Sequence, residues 1–110
     1  MAIQFMLAES AIDIFTAKQT ALKTAQLVDA LPTSGRVPVK EISIAKAYCV
    51  ESAERVLDRA IQVHGAMGLS SELPFHEGYR IARTLRIPDG TAEIQRRTIA
   101  RQLLRGDTVF

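Results

Sequence analysis

The sequence predicts an all-α fold, an antiparallel helical bundle of two long and two shorter helices. Three observations predict it. Apolar residues recur at three- and four-residue spacing over long stretches, and nowhere do they show the period-two alternation of a strand. The breaks between these stretches are clusters of Pro, Gly, Ser and Asp, residues that stop helices and build turns. Six of the 110 residues are aromatic and none is Trp. The core therefore has to be aliphatic side chains and Ala, which suits close helix packing better than a sheet sandwich.

The first helix is expected over Ile3 to Leu31. Leu7, Ala11, Ile14, Ala21, Ala25 and Val28 form one stripe, and Ala8, Ile12, Phe15 and Leu22 an adjoining one. Two neighbouring stripes make a wide apolar face, which predicts cover on more than one side. Lys18 and Lys23 fit within this pattern because long side chains can carry their charge out to water. Pro32-Thr-Ser-Gly-Arg-Val-Pro38 reads as a turn cluster. A second long helix follows over Val39 to Val63, with Ile42, Ala45, Cys49, Ala53, Val56, Ala60 and Val63 along one face. Its small residues let another helix approach closely, so the pair forms a long antiparallel hairpin. Gly65 is placed for a left-handed cap. Ser70 or Ser71 can cap a third helix over Glu72 to Leu85, with Phe75, Tyr79 and Ala82 inward. Ile87-Pro88-Asp89-Gly90 breaks it. Thr91 then caps a last helix to Arg105, carrying Ile94, Ile99, Leu103 and Leu104, and Gly106 is its stop.

A composition of 47% hydrophobic and 24% charged residues is that of a globular domain with one modest core, far from a disordered chain. The single cysteine, Cys49, excludes an internal disulfide and points to a reducing compartment. No apolar run reaches the ~18–20 residues that span a membrane. Met1 to Ser10 lacks a basic start and a small-residue cleavage site, and it carries Glu9, so a cytoplasmic location is expected. The net charge of +2 hides an asymmetry: residues 1–79 hold seven Lys and Arg against nine acids, whereas residues 80–110 hold seven Arg against three. Arginine suits planar, bidentate contacts, so this stretch is a candidate for phosphate or intersubunit ion pairs. Arg97, Arg101 and Arg105 form a row that could suggest nucleic acid. No aromatic is interleaved with it and the rest of the chain is acidic, which argues against that partner.

Two loops combine glycine with a helix end. Gln62-Val63-His64-Gly65-Ala66-Met67-Gly68 offers backbone N–H groups around glycines, a surface able to accept phosphate. Its ordinary reading is a helix stop. Asp89-Gly90-Thr91 precedes a helix N-terminus, where the dipole favours a carboxylate; its ordinary reading is a turn Asp beside a capping Thr. His64 has no second His, Cys or acid at ligand spacing, so no metal site is expected, and His76 reads as a surface helix residue. Cys49 reads as a small buried hydrophobe.

Together, in order and at this spacing, the loops are more specific. Gln62-Val-His-Gly65-Ala66-Met-Gly68, Glu72-Leu-Pro74, Gly78-Tyr79-Arg80-Ile-Ala82-Arg83, Asp89-Gly90-Thr91-Ala92-Glu93-Ile94-Gln95-Arg96 and Ile99-Ala100-Arg101 resemble the C-terminal domain of the acyl-CoA dehydrogenase family. Ile3-Gln-Phe-Met-Leu-Ala8-Glu is similar to the start of that domain's second helix. The resemblance runs nearly end to end. It implies a helical bundle of that domain type lacking its first helix, with the N-terminal helical and β-barrel domains of the full enzymes also absent from these 110 residues.

The implied cofactor is FAD and the implied reaction is α,β-dehydrogenation of an acyl-CoA thioester, with electrons passed on to an acceptor. By resemblance, Gln62, Val63, His64, Gly65 and Ala66 contact the FAD of a neighbouring subunit, with Ala66 standing where the family has a second Gly. Thr91, Ala92 and Glu93 match residues that lie against the adenosine part of FAD. Asp89 matches the catalytic base, in an Asp-Gly-Thr variant of the family's Glu-Gly-Thr. A carboxylate there takes the α-proton while a hydride leaves the β-carbon, and the base residue's own N–H helps hold the developing enolate. A homo-oligomer, dimer or tetramer, is implied as well. The resemblance implies that these residues alone form an incomplete enzyme. The other reading is a non-catalytic helical association domain that keeps the family's assembly surfaces.

Overall fold

The computed structural model describes all residues, Met1–Phe110, and is helical with no strand. Helix α1 spans Ala2–Asp29, α2 is a single turn at Leu31–Ser34, and α3 spans Val39–His64. A 3₁₀ turn follows at Gly65–Leu69, then α4 at Phe75–Thr84 and α5 at Ala92–Leu104. Helices α1 and α3 form the expected antiparallel hairpin. Helix α3 is the spine: α1, the 3₁₀ turn, α4 and α5 all pack on it, and α1 touches neither α4 nor α5.

Two boundaries differ from the sequence expectation, and proline explains both. Helix α1 stops at Asp29 because Pro32 has no N–H for the Val28 carbonyl and its ring would press on that group. The chain pauses at Ala30, and part of the expected turn cluster closes instead as the helical turn α2, with Gly35 at φ 68° accepting the left-handed exit. Helix α4 starts at Phe75 and not Glu72, since the residue before Pro74 is pushed out of helical geometry. Its N-cap is Pro74, and neither Ser70 nor Ser71 caps it. Thr91 does cap α5, its hydroxyl accepting from the Ile94 N–H at 3.2 Å.

Only eight of the 110 residues are buried, and four of these are Asp13, Lys40, Ser43 and Ser52. The expected cover on more than one side of α1 is absent from this chain: α3 covers one side, while Phe5, Leu7, Ile12, Phe15 and Leu22 stay exposed. Leu104, on α5, is 89% exposed. The accessible surface is 7489 Å², whereas a compact monomer of this mass presents about 6,000 Å². The difference, about 1,500 Å², is nearly twice what one partner contributes to a standard protein interface, about 800 Å².

Small residues bring α1 and α3 together, and polar groups fix their register. Cys49 Sγ donates to the Ala17 carbonyl at 3.4 Å, a contact that requires close helix approach. Asp13 of α1 accepts from Arg55 Nη2 at 2.9 Å and from Arg59 Nη1 at 2.7 Å, both on α3. The Arg55 hydrogen bonds, opposed by burial and helped by Arg59, lower the Asp13 carboxyl from 3.8 to about 2. A depressed carboxylate contributes stability that is present above its unfolded value and lost as pH falls through the folded one. Arg55 is half-exposed, so solvent screening holds this contribution to about 1–2 kcal/mol. Wild type should therefore lose that stability between pH ~4 and ~2, and Asp13→Asn should lose less there in urea melts taken across that range.

The C-terminal segment is clasped to the start of α3. Lys40 is fully buried, and its Nζ donates to Asp107 Oδ1 at 3.1 Å, the Asp107 carbonyl at 2.9 Å and the Val109 carbonyl at 2.6 Å. The Phe110 ring covers the ammonium with its centroid 4.0 Å away. Arg36 bridges Glu41 and Asp107, each at 2.9 Å. The Lys40 hydrogen bond, followed by that of Arg36, holds the Asp107 carboxyl below its usual range.

Candidate functional site

The loop Pro88–Thr91 joins α4 to α5 under backbone strain. Asp89 is the only non-glycine residue with positive φ, at 55°, and Gly90 follows at 90°. Left-handed geometry is unfavourable for L-residues, Asp and Asn being among the most tolerant, and such strain concentrates at functional sites. The Asp89 side chain is exposed. Lys46 of α3 donates to the carbonyls of Pro88, Asp89 (3.1 Å) and Gly90 (2.5 Å). Gln95 Nε2 adds bonds to the Asp89 and Gly90 carbonyls at 3.3 and 3.2 Å. The N–H groups of Asp89, Gly90 and Thr91 make no hydrogen bond within the chain. Ala92 is buried and its N–H is taken by the Arg86 carbonyl at 3.1 Å, which closes the turn. Glu93 is exposed on the first turn of α5. The arrangement places an exposed carboxylate beside unpaired donors, at the positive end of a helix.

The second segment caps the far end of α3. Gln62, His64, Gly65 and Ala66 are exposed, and Val63 lines an open apolar groove with Met6, Leu7, Val56 and Ala60. His64 Nδ1 donates to the Ala60 carbonyl at 2.7 Å, and its ring packs at a tilt of 40° on Phe75 with centroids 4.7 Å apart, which ties this end to α4. Gly65 departs from the expected left-handed cap: φ is 61° but ψ is −141°, a region open essentially to glycine alone. A Cβ there would meet nothing within 4 Å, so the backbone conformation and not space demands glycine. Gly68 is the opposite case. A Cβ on it would sit 2.6 Å from the Ile61 carbonyl oxygen and 2.9 Å from the Ile61 Cα.

The two segments do not meet in one chain. Lys46 and Gln62 lie sixteen residues apart on α3, which is about 24 Å along a helix axis. Asp89, Thr91, Ala92 and Glu93 thus form one site, and Gln62 to Ala66 another.

Most of the arginines expected to await phosphate or a second subunit are engaged within the chain. Arg86 pairs with Glu51 (3.3 Å) and Glu54 (3.2 Å), Arg96 with Glu51 (2.6 Å), Arg83 with Glu54 (4.0 Å) and Arg80 with Glu77 (2.6 Å). Arg97, Arg101 and Arg105 form no salt bridge. The sequence reading missed Lys46 and Gln95 as parts of the Asp89 loop. The available signal was a lone Lys within Ile44-Ala45-Lys46-Ala47, off the apolar face of α3.

The sequence and fold are shared with known proteins. The family model for the acyl-CoA dehydrogenase C-terminal domain matches residues 1–104. "Probable acyl-CoA dehydrogenase YngJ" of Bacillus subtilis is 43% identical over 104 residues, covering 94% of this chain and 26% of that protein. The human short-chain specific acyl-CoA dehydrogenase of mitochondria is 39% identical over 103 residues, with 94% and 24% covered. A solved Mycobacterium abscessus structure assigned to the acyl-CoA dehydrogenases superposes with a TM-score of 0.86 at 32% identity, covering 93% of this chain and 25% of that one. The chain therefore spans about a quarter of the length of these relatives.

Proposed function

The chain belongs to the acyl-CoA dehydrogenase family, matching its C-terminal domain, and from that premise we propose that it supplies the base and part of the flavin contacts for α,β-dehydrogenation of an acyl-CoA thioester. The observation that carries the reading is the strained Asp89, whose exposed carboxylate and unpaired N–H belong to one residue. One atom group accepts the α-proton while the other donates to the thioester carbonyl as negative charge develops on it. Pairing a base with a preorganised donor addresses both difficulties of removing a weakly acidic C–H proton. An acyl chain closing over the loop would expel water and strengthen the base.

The residues present fit a flavin in their donor set. The Gly90 and Thr91 N–H groups are free, Glu93 is exposed beside them, and Gln62 is exposed at the other segment. When bound, FAD supplies the acceptor for the hydride that leaves the β-carbon, and an electron acceptor then takes the electrons onward. Asp89, Thr91, Ala92 and Glu93 would serve one flavin. Gln62 to Ala66, about 24 Å away along α3, would serve that of a neighbouring copy. The exposed face of α1 and the excess accessible surface support a homo-oligomer under this reading, dimer or tetramer. They also support the rival one, a non-catalytic association domain. No helix is long and apolar enough to cross a membrane, and a reducing compartment such as the cytoplasm would leave Cys49 as a thiol.

The β-barrel and N-terminal helical domains would complete the active site. Flavin retention and bleaching test the proposal. A longer protein carrying this domain should purify yellow and bleach anaerobically with acyl-CoA, while residues 1–110 alone should retain little FAD. A flavin that stays oxidised against short-, medium- and long-chain acyl-CoA would overturn the dehydrogenase reading and leave the association domain.

A further inference from the structure

We propose that Lys46 is a positioning residue that aims the Asp89 loop, setting the direction of three consecutive N–H donors from behind. An ammonium has three protons, and Lys46 spends them on three successive carbonyls, those of Pro88, Asp89 and Gly90. No peptide bond in the chain is cis. In a trans peptide the C=O and the following N–H point in opposite directions. Gathering these three oxygens on the α3 side therefore turns the N–H groups of Asp89, Gly90 and Thr91 to the opposite side, and these are the groups left without a partner.

Two further features single out Lys46. It is half-buried and forms no salt bridge, while Glu51, which lines the same small pocket, is taken by Arg86 and Arg96. Carbonyl dipoles are thus its partners. A strained turn with positive φ at two consecutive residues also persists only where its surroundings over-determine it. Three carbonyls converging on one point repel one another unless a cation sits there, and the Gln95 amide alone offers two weaker bonds. In the proposed reaction, on whose reading of Asp89 this inference rests, Lys46 keeps the Asp89 N–H aimed at the thioester oxygen and never touches substrate.

Nitrogen-15 relaxation in the labelled protein tests the role without turnover. In wild type the Asp89, Gly90 and Thr91 amides should show order parameters near about 0.85, falling below about 0.6 in Lys46→Met while α3 and α5 stay rigid. Lys46→Arg, which keeps a cation, should recover part of the order. A loop that stays rigid in Lys46→Met overturns the proposal. An equal loss of order throughout α3 and α5 overturns it too, since Lys46 would then only stabilise the bundle. Wild type alone gives a second measurement: the Lys46 ammonium should exchange its protons more slowly than those of Lys18 and Lys23, and equal rates count against the proposal. In a flavin-loaded enzyme carrying the domain, Lys46→Met should lower kcat about ten- to hundredfold with KM and flavin content little changed. Full turnover in Asp89→Asn would remove the base reading but leave the relaxation result on Lys46 intact. A rigid loop in Lys46→Met would remove Lys46 from its role whatever Asp89 does.

Discussion

Asp89→Asn, made in a dehydrogenase that carries this domain, should lower kcat by about 10²–10⁴-fold, the range general-base catalysis supplies. Flavin content and KM for acyl-CoA should change little, because the substitution is nearly isosteric and the exposed carboxylate forms no salt bridge. The choice of Asn matters. Asp89 sits at φ 55°, and Asn tolerates that region about as well as Asp, whereas Ala would add backbone strain to the lost carboxylate. Lys46 and Gln95 hold the loop through backbone carbonyls, which survive the change. The donor geometry is therefore preserved and only the proton acceptor is lost. Anaerobic flavin bleaching in a stopped-flow instrument reads the step directly. A rate within about threefold of wild type would place the base on another residue.

The second large effect is expected at Gly68. Gly68→Ala should destabilise the fold by about 2 kcal/mol and lower Tm by about 10 °C, measured by circular dichroism. The new Cβ would fall 2.6 Å from the Ile61 carbonyl oxygen, and the nearest atoms it meets are all backbone, so no side chain can turn aside. Relief requires the 3₁₀ turn to lift off α3; Gly65 and Ala66 lie on that turn, and Gln62 to His64 form the end of α3 that leads into it. Any contribution of that segment to flavin binding should fall in parallel. Ala66→Gly, at an exposed position of the same turn, is the control and should stay within about 0.5 kcal/mol of wild type. An unshifted Tm for Gly68→Ala would mean that the turn gives way more easily than its contact with Ile61 suggests.

The helices were legible because their signals are local. Apolar spacing marks α1 and α3, the Thr91 hydroxyl caps α5, and Gly35 and Gly65 stand where helices end. The prolines are legible too, but Pro74 also restricts the residue before it, and α4 therefore starts at Phe75 and not at Glu72. The buried charges were not legible. Asp13 lies between Ile12 and Ile14 with nothing in the local pattern to turn it toward α3. Lys40 finds its oxygens on residues 107 and 109, at the other end of the sequence. Lys46 likewise acts on a loop more than forty residues away. A long polar side chain declares its partner only in three dimensions, whereas periodicity and capping are written within one or two turns. For the candidate site this divides cleanly. Motif spacing picks out Asp89 and the Gln62–Ala66 segment as separate features; the strain at Asp89, its free N–H groups and the cation behind it come from the fold.

The spine arrangement has a consequence for how this domain can change over time. Because α1 touches neither α4 nor α5, α3 is the helix that joins the broad apolar face to the Asp89 loop. Substitutions on the outer face of α1 can alter which surface it joins without reaching the loop. Those in α4 and α5 can retune the loop without reaching that face. Partner choice and chemistry can thus drift independently on one helical frame, with α3 as the part least free to vary.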